Sequence, residues 1–469
     1  MAFKRSAVRF RLAPPPSSFP LGKWISLAAA AFLALCPAMP APAAAPDPRL
    51  AGINHILVVY LENHSFDNLY GTFPGADGFA TATGFKPQSD RDGTVYPTLP
   101  QPMLNRPGKS SPDARFPASL ANAPFAINSF MSPDEKTGDL KHEFFAEQLQ
   151  IHDGAMDRYA AWSDAKGLVM GYYEGEGTRG WALAREFALG DRMFHSAFGG
   201  SFLSHTWLVC SCALEWPNAP ADIIAEADGN GVPRKDGQVL PDGHVVNTSR
   251  SIYLHKPSET DPSRLVPGQT LPHIGDRLDA KGVSWAWFSG GYDDAMAGKP
   301  DPLFQFHHQP LAYFKDLAPG TPGQKAHLKD AKDLWPLIDV GQLPQVAFYK
   351  PFATLNQHPG YASMMAADRH LGDLIDRLRA SPSWKDTLII VTYDENGGQW
   401  DHVAPPRRDK WGPGTRVPLL VIGPMVKPGF VDHTAYDHGS ILKLISLRFG
   451  TQPVNAIDGA ATPMTGMLR

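Results

Sequence analysis

Cysteine is nearly absent from this sequence: there are three in 469 residues, Cys36 in an N-terminal apolar stretch and Cys210 with Cys212 in VCSCA. No disulfide framework is expected, and a chain of this length can bury a core large enough to fold without one. The Cys-x-Cys pair would also be poorly placed for a bridge if it sat on a helix. An excess of one charge is missing too, with 43 Lys and Arg against 47 Asp and Glu and a formal charge of −4. Without a polybasic bias, nucleic acid is not an expected partner. Beyond the N-terminus no stretch approaches the roughly 20 apolar residues a membrane helix needs. Internal repeats and low-complexity linkers are missing as well. Glycine and proline are plentiful, 43 and 45 residues, so long connections should surround the regular framework.

Lys4, Arg5, Arg9, Arg11 and Lys23 precede the apolar stretch Trp24 to Cys36, and small residues follow as far as Ala45. This is the layout of a secretory signal. Residues 1–45 therefore read as a signal peptide, and 46–469 as one catalytic domain, periplasmic or secreted, with no transmembrane segment after cleavage. The N-terminal segment has no Arg-Arg pair, which argues against twin-arginine export. Leu33 to Cys36 resembles a lipid-attachment site, but Leu35 is bulky where a small residue is required.

Apolar runs that read as buried strands recur at Ile56 to Leu61, Phe187 to Phe194, Val283 to Phe288, Val346 to Tyr349, Thr387 to Tyr393 and Val417 to Ile422. Helical periodicity appears between several of these runs, most clearly before Thr387: over Tyr361 to Ala380, Met364, Leu371, Leu374, Ile375 and Leu378 approximate one apolar face, with Asp368, Arg369, Asp373 and Asp376 elsewhere. Strand, helix, strand order predicts an α/β fold with a mainly parallel sheet flanked by helices. Residues near 79–130 and 290–330 are rich in Pro, Gly and Asp without clear periodicity and read as loop-rich insertions.

In such a sheet ligands gather beyond the carboxyl ends of the strands. The first strand runs into ENHSFD, which puts Glu62 and Asn63 at that rim, and the strand Thr387 to Tyr393 runs into DENGG, with Asp394 and Glu395. Together they offer four oxygen donors suited to a hard divalent cation. Separately, DENGG reads as a solvated turn and ENHSFD as a helix start capped by Ser65 or Asp67. A third segment, FHSAFGGSFLSHTWLVCSC, passes from a strand through Gly199-Gly200 to Ser201 and on into a helix. A serine there is either a helix cap or a nucleophile that backbone N–H groups and a nearby metal prepare for phosphoryl transfer. It is not the Gly-x-Ser-x-Gly elbow, because Leu203 replaces the second glycine. His142, His307, His308, His358 and His402 could bind phosphate oxygens as cations in acid, or protonate a leaving alcohol.

Taken together, ENHSFDNLYG, TYDENGGQWDHVAPP and the Gly-Gly-Ser segment resemble the phosphoesterase family of acid phosphatases and phospholipases C, within the alkaline-phosphatase-like superfamily. The likeness runs from about Asn54 to DHGSILKLISLRFG. It implies a doubly wound core with one divalent metal ion, whether calcium, magnesium, manganese, iron or zinc. Glu62, Asn63, Ser201, Asp394 and Glu395 would be its ligands. By the same likeness Ser201 is the nucleophile, transiently phosphorylated, and His142, His307, His308 and His358 line the phosphate pocket. Asp401, His402 and His438 take supporting roles. Serine rather than threonine as nucleophile, a short extension after Asp394 and the lack of a twin-arginine signal lean toward an acid phosphatase acting on small phosphomonoesters. Phospholipase C and a non-catalytic phosphate- or metal-binding protein are the alternatives. The sulfatase segment Cys/Ser-x-Pro-x-Arg does not occur.

Overall fold

The structure is a computed structural model that describes residues 47–106, 108–227 and 233–469. The segment read as a signal peptide, with Cys36, lies outside the described residues. Nine strands form the main sheet: β1 (His55–Leu61), β2 (Ala188–Phe194), β3 (Trp285–Ser289), β4 (Leu328–Asp330), β5 (Val346–Lys350), β6 (Thr387–Tyr393), β7 (Arg416–Ile422), β8 (Phe430–Asp432) and β9 (Tyr436–Asp437). Their order is β4-β3-β5-β1-β6-β7-β2-β8, and β9 also pairs with β2. All pairings are parallel except those of β7, which runs antiparallel to both β6 and β2. Pro418 sits in β7, where the register with β2 shifts between Val417 and Leu419, the irregularity that lets a residue without an N–H stay inside a sheet.

The central strands HILVVYL and TLIIVTY are apolar almost throughout, because helices cover both faces of a sheet of this kind. The helices that bear on the site are α1 (Phe66–Tyr70), α2 (Phe144–Ile151), α3 (Arg179–Glu186), α4 (Ser201–Cys210), α5 (Met364–Ala380) and α6 (His438–Phe449). Ser363 caps α5 by accepting from the Ala366 N–H at 3.1 Å, and its apolar residues are buried as the periodicity predicts. Asp368 on the same helix is buried as well, because its carboxylate accepts from the Arg179 and Gly180 N–H groups, both at 2.8 Å, at the start of α3. Among the described residues no helix is long and apolar enough to cross a membrane.

One expectation is corrected. Cys210 and Cys212 are bridged by a disulfide. Helix α4 ends at Cys210, and Ser211 takes the left-handed conformation (φ 47°, ψ 39°), so Cys212 turns back toward Cys210 instead of continuing the helix.

Candidate active site

Strands β1 and β6 are paired in register, Leu61 against Tyr393, so the chain leaves both at the same level of the rim. Asn63, just past β1, has a left-handed backbone (φ 64°) that turns the chain toward α1. Ser65 then caps α1, accepting from the Asn68 N–H at 3.1 Å while its own hydroxyl donates to the Trp400 carbonyl at 2.7 Å. The Asp394 carboxylate accepts from the Asn63 N–H at 3.2 Å and the Glu395 N–H at 2.8 Å. Glu62, Asn63, Asp394 and Glu395 are all fully buried.

Ser201 is the first residue of α4. Its hydroxyl lies 3.3 Å from both Asn63 Oδ1 and Glu395 Oε1, so the three segments singled out in the sequence meet at one point. The glycines before it make this approach possible. Gly199 has φ 93°, and a Cβ on it would stand 2.6 Å from the Phe144 backbone; one on Gly200 would stand 2.7 Å from the His142 carbonyl oxygen. Behind the loop, buried Glu147 accepts from Gly199 N–H at 2.7 Å, from His195 Nε2 at 2.8 Å, and from both the N–H and hydroxyl of Thr415 at 2.9 Å. His195 spends its other ring nitrogen on the Ala197 carbonyl at 2.7 Å.

The expected histidines divide into two groups. His142 and His358 face each other edge to face with ring centroids 5.6 Å apart. The Nδ1 atoms of both are spent on backbone carbonyls, of Leu140 and Pro359. His142 Nε2 points to the site, 3.3 Å from the Asn63 amide and 3.8 Å from Glu395. Burial works against charge on His142, but Glu395, Asp139 and the Leu140 carbonyl push it up to about 9. His307 and His308 lie in a helical turn of the insertion between β3 and β4, pinned by the Trp287 indole N–H donating to the His308 carbonyl at 2.8 Å. Burial holds His307 well below its ordinary value and lowers His308 to about 4, with the Lys350 charge adding to both. Both shifts disfavour the imidazolium form of this pair.

Two participants were not anticipated. Lys350, the last residue of β5, is fully buried, with Nζ 2.7 Å from Glu62 Oε1 and 4.0 Å from Asp394 Oδ2. His205, one turn along α4 from Ser201, is bonded to the Ser201 carbonyl at 2.7 Å and stacks on His308 with centroids 5.1 Å apart. A lysine that ends an apolar strand at the rim was the available signal for the first. The second is hidden in a wholly buried helix.

Burial raises Asp394, with Lys350 opposing and Glu62 adding, and it pushes Glu395 up to about 8 against the His142 charge. Asp394 Oδ2 has no hydrogen-bond partner among the described residues. Buried carboxylates with this little compensation are what a divalent cation relieves. Asn63 Oδ1, Ser201 Oγ, Glu395 Oε1 and Asp394 form the hard oxygen set that suits one. Glu62 Oε2 accepts from the Asn356 amide at 2.8 Å and the Tyr361 hydroxyl at 2.7 Å, while Oε1 faces Lys350 and His308 and has no hydrogen bond in good geometry among the described residues. Glu62, His205 and His308 form a second candidate ligand group, and Asp139, His142 and His358 a third.

The supporting residues lie outside this point. Asp401 and His402 join Asp67 around fully buried Arg416, whose guanidinium donates to Asp401 at 2.8 Å, to Asp67 at 3.0 Å and to the carbonyls of Asp77 and Asp191. This knot ties the chain after β6 to α1 and β7. His438 opens α6 with Nε2 3.0 Å from the Tyr393 carbonyl, and burial lowers it to about 3.

A family model described as the Phosphoesterase family matches residues 53–452. A non-hemolytic phospholipase C of Pseudomonas aeruginosa is 23% identical over 446 residues, 87% of this chain and 55% of that protein. Phospholipase C B of Mycobacterium tuberculosis is 26% identical over 452 residues, 87% of this chain and 75% of that protein. The chain thus spans about half the length of the Pseudomonas relative. A solved structure of an alkaline phosphatase superfamily protein from Vibrio parahaemolyticus is 14% identical, with a TM-score of 0.33, covering 61% of this chain and 62% of that one.

Proposed function

The chain belongs to the Phosphoesterase family, and from that premise we propose that it is a metal-dependent phosphoric-ester hydrolase that cleaves phospholipid phosphodiesters in the manner of a phospholipase C, through a phosphorylated Ser201. The observation that carries the reading is the Ser201 hydroxyl at the first turn of α4, 3.3 Å from both Asn63 Oδ1 and Glu395 Oε1. The lean toward phosphomonoesters, drawn from the serine and the chain's extent, is the weaker one, because relatives similar over 87% of this chain are phospholipases C.

Asn63, Ser201, Asp394 and Glu395 would hold the divalent ion. When bound it lowers the pKa of the serine hydroxyl and draws charge from the phosphoryl oxygens. Ser201 Oγ attacks phosphorus in line as its proton is released to solvent. The bond to the lipid alcohol breaks and His358 protonates the leaving oxygen through Nε2, its Nδ1 being spent on Pro359. His142 keeps a positive charge beside the phosphoryl oxygens as negative charge spreads over them. Water then attacks the phosphoserine diester and gives its proton to His358, and Ser201 Oγ takes a proton from solvent as the phosphorylated head group is released.

The test compares phosphatidylcholine with p-nitrophenyl phosphate, in the native protein and in Ser201→Ala. The reading predicts turnover of the lipid, lost in the variant. Hydrolysis of the monoester alone would return the protein to the acid phosphatases. Unchanged turnover in Ser201→Ala would remove the serine from the reaction, and no turnover of either ester by the native protein would favour a binding protein.

A further inference from the structure

The loop that carries His358 is tied to the rim at several points. The Glu62 N–H donates to the Asn356 carbonyl at 2.9 Å, and the Asn356 amide donates back to Glu62 Oε2 at 2.8 Å. The His358 N–H then donates to Asn356 Oδ1 at 3.0 Å. Gln357, between them, has a left-handed backbone (φ 77°), which a residue with a side chain keeps only where its surroundings enforce it. Here they do: its carbonyl accepts from His64 Nε2 at 3.0 Å, and its side chain joins the Tyr393 hydroxyl to the Met364 carbonyl.

These bonds place His358 without fixing the plane of its ring. Nδ1 is spent on the Pro359 carbonyl at 2.5 Å, and an imidazole held at one atom can still tip about it. Tyr361 supplies the missing hold. The Ala362 N–H donates to the His358 carbonyl at 3.0 Å, closing a single turn, and the Tyr361 ring lies on the imidazole with centroids 4.2 Å apart and planes inclined by 17°. The far end of the phenol is pinned in turn, its hydroxyl donating at 2.7 Å to Oε2 of fully buried Glu62. On the other side His142 meets the imidazole edge to face.

We propose that Tyr361 is a positioning residue for His358: its stacked ring, anchored on Glu62, sets the imidazole plane so that Nε2 faces the leaving oxygen while Ser201 attacks. Tyr361 needs no contact with the reacting atoms. Its effect passes through one proton, which moves from His358 Nε2 to the oxygen whose bond to phosphorus breaks. The inference rests on the reading of His358 as that acid.

The experiment compares two esters that share a phosphocholine group and differ in what leaves: dihexanoylphosphatidylcholine below its micelle concentration, whose alkoxide needs a proton, and p-nitrophenyl phosphocholine, whose phenolate leaves without one. The quantity read is kcat/KM, which covers the steps up to release of the first alcohol. Tyr361→Leu is expected to lose about 10²-fold on the lipid, the cost of a misplaced reacting group, and little on the p-nitrophenyl ester. Tyr361→Phe, which keeps the ring, should stay near the native ratio of the two. His358→Ala should lose at least as much on the lipid, and adding Tyr361→Leu to it should cost no more. Equal losses on both esters in Tyr361→Leu, as a merely structural residue would give, or an unchanged lipid rate in the folded variant, would overturn the inference. Should Tyr361→Leu not fold, Tyr361→Gln, which removes the ring but keeps a donor for Glu62, is read by the same criteria. Normal lipid turnover by His358→Ala, or none by the native protein, would instead contradict the proposed hydrolysis beneath it.

Discussion

Glu147→Gln is the most informative single change near the nucleophile that touches none of the reacting groups. The carboxylate accepts from four donors, and its partner His195 is an imidazolium with both N–H groups spent. If the new carbonyl oxygen keeps the Thr415 and His195 contacts, the amide nitrogen must face the Gly199 N–H, donor against donor. His195 is left without its counter-charge. Removing one partner of a buried ion pair costs about 3–5 kcal/mol, and we expect Glu147→Gln to fall in that range by urea denaturation. His195→Asn in the same background should cost less than it does alone, since no buried charge is then left unpaired. Ser201 hangs on this loop, and a shift of about 1 Å in a reacting group can cost roughly 10²-fold in rate, so kcat should fall while the ion count stays at one. The pH dependence has a definite sign. Glu147 is lowered from its ordinary 4.5 by His195 and the N–H donors against the effect of burial, so its contribution is full above pH 4.5 and lost as pH falls through the depressed value. His195 is raised from 6.5 by Glu147, again against burial, so its contribution is full below pH 6.5 and lost as pH rises through the raised value. The penalty of Glu147→Gln should therefore be greatest between pH 4.5 and 6.5. A loss under about 1 kcal/mol with unchanged kcat would refute the reasoning.

Arg416→Leu strands the Asp67 and Asp401 carboxylates in the interior and should cost about 3–5 kcal/mol in denaturant titration. Gly199→Ala meets both a left-handed backbone and the Phe144 main chain, so it should lower melting temperature and turnover together, in a thermal scan and a rate assay of the same preparation. Dialysis against a chelator should abolish hydrolysis. Restoring the ion at about 100 times its dissociation constant should add about 2.7 kcal/mol of stability, readable as a rise in melting temperature.

The framework was legible because its strands are apolar runs bounded by turn residues, and burial on both faces makes such runs hard to mistake. Strand direction was not legible: nothing in RVPLLVI distinguishes β7, antiparallel to its neighbours, from a parallel strand. The meeting of Glu62, Asn63, Asp394, Glu395 and Ser201 could be anticipated, since each follows a strand or opens a helix where an α/β rim lies. Lys350 was missed because the apolar run Val346 to Tyr349 stops one residue before it, and His205 because a polar residue in a buried helix has no periodic signature. Arg416 was invisible for a related reason: its partners Asp67 and Asp401 come from distant segments. The disulfide went unseen because it depends on the left-handed turn at Ser211, which only the chain's path after α4 requires. Glu62 was placed at the rim by its motif, but the neighbours that share its carboxylate, Lys350, Asn356 and Tyr361, come from segments the motif does not include.

The central claim is that distant segments of the chain converge on one cation beside the Ser201 hydroxyl. Anomalous diffraction from crystals equilibrated with Mn²⁺ tests it most directly. The account predicts a single peak within about 2.0–2.6 Å of Ser201 Oγ, Asn63 Oδ1 and the Asp394 and Glu395 carboxylates. A peak at Asp67, Asp401 and His402 instead, or none near Ser201, would contradict it.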